Sequence, residues 1–257
     1  MRNQATGSFY SGLSGLQLPV PKYLFPPEFE NKSRLTYYST LFNSIEINST
    51  FYKIPKPATV ANWSASVGDD FRFTFKLWKE ITHCQQFSFK EQDLVRYFEA
   101  INSVNPKKAC LLIQLPPGLG NEYIVQLERL LSCIRQIDET WKIAVEFRNK
   151  SWYNATTYSL INQFKAALVV HDMPKSATPM ISHASDFMYA RFHGPTGNYR
   201  DSYPDDFLSE YASYIHDWLA DRKEVYVYFN NTAGDAINNL NTLNRLVLMR
   251  CNLIEEK

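Results

Sequence analysis

The sequence predicts an α/β protein folded as a (β/α)8 TIM barrel, and three observations favour this class. The chain has 257 residues, close to the roughly 250 that such a barrel needs. Short segments in which apolar and polar residues alternate recur along it, which is typical of strands with two different faces. These segments alternate with seven or eight segments of helical character, and eight strands in that arrangement is the count of a barrel. A doubly wound open sheet is the alternative fold for the same alternation.

The N-terminal half supplies four of the eight predicted strands. Each has apolar side chains at every second position, as expected of a strand with one face on a core. The strands are residues 9–15, 43–48, 71–76 and 109–115. Helical spacing or a proline start predicts helices over residues 33–41, 57–67, 91–103 and 124–134. A long loop is predicted over residues 78–83.

The C-terminal half supplies the other four strands. They are predicted over residues 143–148, 167–171, 187–193 and 224–230, and the helices over residues 155–164, 204–219 and 233–249. Asp205 and Asp206 favour the helix that begins at Pro204, because acidic groups interact well with the positive end of a helix. Its predicted buried face is Phe207, Tyr211, Tyr214, Ile215, Trp218 and Leu219. Residues 173–184 contain two prolines and no clean period, so the sixth helix is predicted to be irregular.

Composition bounds the function classes. With 27 basic and 26 acidic residues the chain has no general basic field to recruit nucleic acid or anionic lipid. No apolar run approaches the ~20 residues of a membrane span, and no apolar signal region is visible at the N-terminus. The four cysteines form no close-spaced pair. A cytoplasmic protein with reduced thiols and no membrane partner is therefore expected.

Five segments in order resemble a known family. They are residues 42–52, 71–76 with 81–83, 146–148 with 151–152, 191–194, and 228–231. Together they resemble the domain of unknown function 72 family, the YecE-like proteins, over nearly the whole chain. The resemblance implies one TIM-barrel domain over residues 1–257, in a cytoplasmic protein and with no assigned reaction. One departure is that Leu16 follows Gly15 where the family usually has tryptophan, so no stacking role is expected there.

Inward-facing polar side chains stand near the C-terminal end of nearly every predicted strand. In barrels these ends and the loops after them, together called the mouth, form the active site. The residues are Glu46, Asn48, Lys76, Gln114, Glu146, Arg148, His171, Asp172, Arg191, His193 and Asn230. This set has more hydrogen-bond donors than its carboxylates can accept. A ligand-binding or catalytic mouth is therefore predicted, and a purely structural ion-pair network is the alternative.

Glu46, Lys76 and Glu146 are the candidate catalytic residues. The two carboxylates could act as acid and base on a sugar or glycoside. The alternative is that Glu46 pairs with Lys76 and Glu146 pairs with Arg148 or Arg191. A Schiff base at Lys76 would need a lowered pKa, and two nearby glutamates are expected to raise that pKa instead. Replacing Glu146 with glutamine is expected to leave folding intact.

Ligand binding is expected from polar and aromatic groups around the same mouth. The candidates are Asn48, Gln114, Arg148, Trp152, Arg191, His193, Tyr199, Asn230 and Asn231. Backbone N–H groups of the loops at residues 193–199 and 230–235, beside Arg191, would suit a phosphate. Aromatic faces for stacking are expected at the rim from Phe51, Tyr52, Trp152, Tyr199 and Tyr203.

No metal or cofactor is predicted. The chain has five histidines without HxH or HExxH spacing, and Arg191 would repel a cation held by His171, Asp172 and His193. No nucleotide-binding glycine motif is present.

The functional hypothesis is a metal-independent enzyme, of the hydrolase, lyase or isomerase type, acting on a phosphorylated or sugar-containing substrate at the mouth. The alternative is a non-catalytic barrel that binds nucleic acid or a metabolite. The near-zero net charge does not support nucleic acid. The sequence gives no prediction of the oligomeric state.

Overall fold

Strands and helices alternate along the computed structural model, which describes residues 7–179 and 185–255. The strands are β1 Phe9–Leu13, β2 Ser44–Ile47, β3 Arg72–Lys76, β4 Lys108–Leu115, β5 Lys142–Phe147, β6 Ala167–Leu168, β7 Val170–His171, β8 Phe187–Phe192 and β9 Glu224–Phe229. All pairings between these strands are parallel. This is an α/β fold with parallel sheets, as the alternation in the sequence predicts.

The helices lie between the strands. They are α1 Arg34–Leu41, α2 Ser49–Tyr52, α3 Pro57–Ala65, α4 Lys79–Thr82, α5 Glu91–Ile101, α6 Ile124–Ile137, α7 Ala155–Gln163, α8 Asp205–Ala220 and α9 Ala236–Glu255. Short 3-10 turns occupy Lys22–Leu24, Pro27–Phe29, Gln85–Phe87, Asn102–Val104, Asn121–Tyr123 and Lys150–Trp152. Within the described ranges, none of the helices has both the length and the apolar character that crossing a bilayer requires.

The strands form two sheets that meet at two seams. One sheet has the order β1-β9-β8-β7 and the other β2-β3-β4-β5-β6. At the first seam β6 and β7 follow each other in the chain with Val169 between them. At the second seam an isolated parallel bridge joins Ser14, just after β1, to Glu46 of β2.

The predicted sixth strand, residues 167–171, is divided into β6 and β7 because it changes partner. Its first half pairs with β5 and its second half pairs with β8. The hydroxyl of Thr178 donates to the carbonyl of Val169 at 2.7 Å and accepts from the N–H of His171 at 3.2 Å. Residues 173–179 are neither helix nor strand, which confirms the predicted irregularity as far as it is described. Residues 180–184 lie outside the described part.

The apolar core divides along the two faces of the strands. Residues such as Phe73, Ile113 and Val145 belong to a large cluster shared with the helices. Residues in alternation with them, such as Leu112 and Ala144, form a second cluster with Tyr189, Tyr226 and Tyr228. The predicted facing of the strand residues is confirmed by this division. Each fully buried large apolar side chain stabilises the fold by about 1.5–3 kcal/mol.

Two predicted elements differ in detail from the structure. Residues 78–83 were expected to be a loop, but α4 forms one helical turn there. The buried face of α8 is Leu208, Ala212, Ile215 and Leu219. Phe207, Tyr211, Tyr214 and Trp218 are only half-buried. Arg250 of α9 contacts Ser209 and Ser213 of α8.

Side chains supply much of the hydrogen bonding at the seam between β1 and β2. The hydroxyl of Tyr38, which is fully buried, accepts from the N–H of Leu13 at 2.8 Å and donates to the carbonyl of Ser44 at 3.0 Å. Asn43 accepts from the N–H of Ser11 at 2.8 Å and donates to the carbonyl of Phe9 at 2.9 Å. These side-chain bonds join the strands at the seam, as backbone hydrogen bonds join neighbouring strands elsewhere in the sheets.

We expect Tyr38→Phe to lower the free energy of unfolding by about 2 kcal/mol, because it leaves a buried N–H and a buried carbonyl without a partner. Urea unfolding at neutral pH measures the difference. Tyr37→Phe is the matched control, since that neighbouring ring is half-buried and its hydroxyl makes no hydrogen bond to another described residue. Equal stability of the two variants would contradict the role assigned to Tyr38.

Candidate functional site

Arg191 of β8 is the centre of a buried ion cluster at the mouth. Its guanidinium donates through Nη2 to Glu46 Oε1 at 2.7 Å and through Nε to Glu46 Oε2 at 2.9 Å. Its Nη1 donates to Glu146 Oε2 at 2.6 Å. Glu46 lies on β2, Glu146 on β5, and all three side chains are fully buried. One arginine from the first sheet thus joins two glutamates from the second.

Tyr189 and Arg148 add further hydrogen bonds to the two glutamates. Tyr189 donates its hydroxyl to Glu46 Oε2 at 2.5 Å, and Arg148 donates Nε to Glu146 Oε1. Burial alone opposes ionisation of Glu146, but the Arg148 and Arg191 guanidiniums outweigh it and hold its pKa well below the usual range. Glu146 therefore remains an anion at neutral pH, and neither carboxylate is exposed for direct proton transfer to a ligand.

His193 extends the cluster as a neutral ring. Its Nε2 accepts from Arg148 Nη2 at 2.9 Å and from Arg191 Nη1 at 3.2 Å, so the proton resides on Nδ1. That Nδ1–H donates to Asp172 Oδ1 at 3.2 Å, and Asp172 also accepts from the hydroxyl of Tyr203. Burial, with the two neighbouring guanidiniums, lowers the pKa of His193 to about 4 against the opposing effect of Asp172.

Lys76 at the end of β3 is differently placed. Its Nζ donates to Gln114 Oε1 at 2.9 Å and lies 4.3 Å from the centre of the Phe51 ring. No carboxylate of a described residue lies within 4 Å of it. Burial first, and then the charge of Arg191, lower its pKa to about 8.

The predictions for Lys76 were wrong on both counts. Glu46 pairs with Arg191 and not with Lys76. The pKa of the amine falls instead of rising, because both glutamates are already neutralised by guanidiniums and stabilise the ammonium too weakly to offset its desolvation. The alternative considered for Glu146, a pairing with Arg148 or Arg191, is present in the structure with both arginines.

The expected aromatic rim is only partly present. Trp152 is fully buried, stacked on Phe147 at 4.8 Å, and its indole N–H donates to the carbonyl of Leu119 at 2.7 Å. Tyr203 is also buried. The prediction of a rim position was wrong for these two, because the loops after β5 and β8 fold their rings into the core.

Other aromatic residues do lie at this end. Tyr199 is 41% exposed, and its ring stands edge-on to His193 at 5.7 Å. Tyr52 is exposed, and Phe51 lies against Lys76. Of the predicted rim, Phe51 and Tyr199 therefore contact the polar groups of the mouth.

Six backbone N–H groups of the loops after β8 and β9 bond within the protein. The donors that bond to other protein groups are those of Gly194, Gly197, Tyr199, Ala233, Gly234 and Asp235. Asn231 is fully buried and donates to the carbonyl of Asp201 and to Asn239, both at 2.9 Å. Asn231 therefore anchors the loop after β9, and phosphate binding by the other N–H groups of these loops stays a prediction.

Two polar atoms near Glu46 lack a hydrogen-bond partner among the described residues. They are Asn48 Oδ1 and Ser14 Oγ. Asn48 donates Nδ2 to the carbonyl of Ser14 at 3.1 Å, so the two residues are adjacent. Ser14 was not among the predicted site residues, although it continues the inward alternation of Tyr10 and Gly12 on the first strand.

Gln114, Arg148 and Asn230 complete the polar groups at this end. Gln114 holds Lys76, Asn230 is half-buried at the end of β9, and Arg148 Nη1 makes no hydrogen bond to another described residue. Within the described residues no group of three or more histidine, cysteine, aspartate or glutamate side chains is arranged to hold a metal ion. The mouth therefore presents one amine, one guanidinium nitrogen and several amide or hydroxyl groups.

Comparisons with known proteins match the chain to one family. The model of the family described as "Protein of unknown function DUF72" matches residues 10–256. The UPF0759 protein YunF of Bacillus subtilis is 27% identical over 249 residues, which is 84% of this chain and 87% of that protein. The UPF0759 protein YecE of Escherichia coli K12 is 27% identical over 119 residues, 46% of this chain and 43% of that protein.

Solved structures show a similar fold. A DUF72 family protein from Enterococcus faecalis V583 superposes with a TM-score of 0.78 at 20% identity, covering 93% of this chain and 95% of that one. A DUF72 family protein from Thermotoga maritima MSB8 superposes with a TM-score of 0.70 at 23% identity, covering 93% and 99%. At this identity the likeness concerns the fold alone.

We expect Glu146→Gln to lower the free energy of unfolding by about 3 kcal/mol at pH 7, because it leaves two buried guanidiniums short of a counter-charge. This replaces the expectation from the sequence that folding would stay intact. Since the folded pKa of Glu146 is depressed, its contribution is present above the ordinary carboxyl pKa and is lost as pH falls through the folded value.

The difference from the unsubstituted protein should therefore narrow below about pH 4.5 in urea unfolding. Glu91→Gln is the control, because Glu91 is paired with Arg129 at the surface. A loss no larger than that of the control would show that the buried cluster does not stabilise the fold.

We expect Lys76→Met to raise the free energy of unfolding at pH 7 by about 1–3 kcal/mol, since it removes a desolvated ammonium without a carboxylate partner. The folded pKa of about 8 lies below the ordinary 10.5, so the penalty is full below pH 8 and disappears as pH rises toward 10.5. The gain in the free energy of unfolding should therefore shrink between pH 8 and pH 10.5. Lys79→Met, at an exposed position, should change little, and a destabilised Lys76→Met would place Lys76 among the structural residues.

Proposed function

The chain belongs to the DUF72 family, and from this premise we propose that it is a metal-independent enzyme acting on a small phosphorylated or sugar-containing substrate at the mouth. Lys76 is the reactive group and Arg148 the second cationic contact. Glu46 and Glu146 position the arginines instead of acting as acid and base. The two cationic side chains disfavour a divalent cation in the same space.

We also propose that the two sheets form one closed (β/α)8 barrel in a single domain, with β6 and β7 counted as one strand. Two observations support closure besides the Ser14 bridge. The hydroxyl of Tyr228, from the first sheet, lies 2.6 Å from Ser44 Oγ and 2.9 Å from Thr74 Oγ1 of the second. Arg191 joins the same sheets one layer nearer the mouth.

The observation that carries the functional proposal is the unpaired amine of Lys76. Its nearest polar partner is a neutral amide, and desolvation disfavours its charged form. A perturbed group of this kind is typical of functional sites, because a ligand can supply the missing counter-charge. A phosphate or another anionic group of the substrate would do so.

Neighbouring groups favour a hydroxylated ligand. Asn48 Oδ1 and Ser14 Oγ lack partners within the described part of the chain, and the hydroxyl groups of a sugar could bond both. Arg148 Nη1 offers a further donor toward an anion. With a pKa of about 8, Lys76 can also exchange a proton near neutral pH, as general acid–base catalysis requires.

Calorimetric titration with ribose 5-phosphate and glucose 6-phosphate, each beside its unphosphorylated sugar, tests this function. We expect at least one phosphorylated sugar to bind and its unphosphorylated form to bind about tenfold more weakly. Lys76→Met should weaken binding by a similar factor because the ligand loses a cation, whereas Lys79→Met should not.

Absence of binding by both phosphates at millimolar concentration, or equal binding by Lys76→Met, would overturn the proposal. Binding without conversion of the sugar, followed by NMR, would favour the non-catalytic alternative. Binding of a polynucleotide with a steep salt dependence would favour the nucleic-acid form of that alternative.

A further inference from the structure

Lys107 is buried and Lys108 is half-buried, and their surroundings show how the chain accommodates a structural lysine. Lys107 Nζ donates to the carbonyls of Ser64 and Val67, both at 2.7 Å, and has Asp69 at 3.6 Å. Lys108 Nζ lies 2.6 Å from an oxygen of Asp138. Each has a carboxylate within ion-pair distance.

Lys76 has no such surroundings. One side of its amine faces the Phe51 ring, another bonds to the Gln114 amide oxygen, and no carboxylate of a described residue is within ion-pair distance. A structural explanation would require the acceptors that Lys107 and Lys108 have. The difference indicates that the remaining N–H directions of Lys76 are kept for a ligand.

We infer that Lys76 forms an imine with the carbonyl carbon of a small phosphorylated aldehyde or ketone bound at the mouth, an inference that rests on the proposed function. The neutral amine attacks the carbonyl carbon, and the C=O bonding pair moves to oxygen. The carbinolamine then loses water as the nitrogen lone pair forms the C=N bond. Counted from the ammonium, one ammonium and one carbonyl give one protonated imine and one water, so no oxidant or reductant is needed.

The surroundings of Lys76 keep a fraction of its side chains in the neutral amine form, which is the nucleophile. Burial and Arg191 lower its pKa to about 8, although contact with the Phe51 ring favours the cation. At pH 7.5 roughly a quarter of such amines are neutral, against about a thousandth of lysines with an ordinary pKa. This sets Lys76 apart from the exposed lysines nearby.

The substrate class follows from the polar groups at the same end of the strands as the amine. Arg148 Nη1 can hold a phosphate, and Ser14 Oγ with Asn48 can bond hydroxyl groups. A protonated imine withdraws electrons from the adjacent carbon, which assists proton removal or C–C cleavage there. The reaction class is therefore a lyase or isomerase acting next to a carbonyl.

Reductive trapping tests the inference. The protein is incubated with dihydroxyacetone phosphate or glyceraldehyde 3-phosphate and reduced with cyanoborohydride, and the labelled lysines are identified by peptide mass mapping. We expect Lys76 to be labelled at least about tenfold faster than Lys79 at pH 7.5. The labelling rate of Lys76 should level off above about pH 8, whereas that of exposed lysines should continue to rise.

Variants separate this inference from the function on which it rests. Lys76→Arg keeps the cation without an amine that can form an imine, so it should still bind the phosphorylated sugar but lose the trapped product. Lys79→Met should retain both. Labelling of Lys76 no faster than Lys79 with either probe overturns the imine. If sugar-phosphate binding persists in that case, the proposed function stands; if it is also absent, both fall.

Discussion

The buried Arg191 guanidinium, held between Glu46 and Glu146, is the constraint on which the mouth depends. Removing three charges from water costs several kcal/mol for each, and only close pairing with filled hydrogen-bond positions offsets that. The three residues stand on β8, β2 and β5, in two different sheets. Their pairing therefore fixes the separation of strands that share no backbone hydrogen bonds.

This pairing also affects the protonation of two neighbouring residues, Lys76 and His193. Because both glutamates are matched by arginines, they exert little net attraction on Lys76, and desolvation prevails in its pKa. His193 stays neutral for a related reason, since two guanidiniums donate to its Nε2 and leave that nitrogen no place for a proton. The charges of the buried ion cluster are thus paired with one another, and the Lys76 amine is left without a counter-charge.

The alternation of side chains was sufficient to predict an α/β fold with parallel sheets and to place the buried ion cluster near the C-terminal ends of the strands. Glu46, Glu146 and Arg191 were placed at one end because the direction of a strand side chain follows from its position in the alternation. Their partners were less predictable. Lys76 lies on the strand adjacent to Glu46 and was considered as its partner. The observed partner is Arg191, whose longer side chain extends from the other sheet. No local pattern shows such a contact.

Loop residues were the least predictable, because no periodicity relates a loop side chain to the core. Trp152 and Tyr203 were predicted at the rim and are buried. Several of the loop N–H groups expected to hold phosphate bond within the protein. Ser14 was within reach of the strand pattern. The glycines around it are typical of a turn, and a turn pattern does not indicate where the hydroxyl lies.

The seam between β1 and β2 has a consequence for how this protein can change over evolutionary time. In an ordinary sheet, substitutions leave the ladder intact because both partners of each bond are backbone. Here Tyr38 and Asn43 hold four backbone groups of the adjoining strands. Part of the cohesion of this seam therefore depends on two codons, so single substitutions can tune it during evolution.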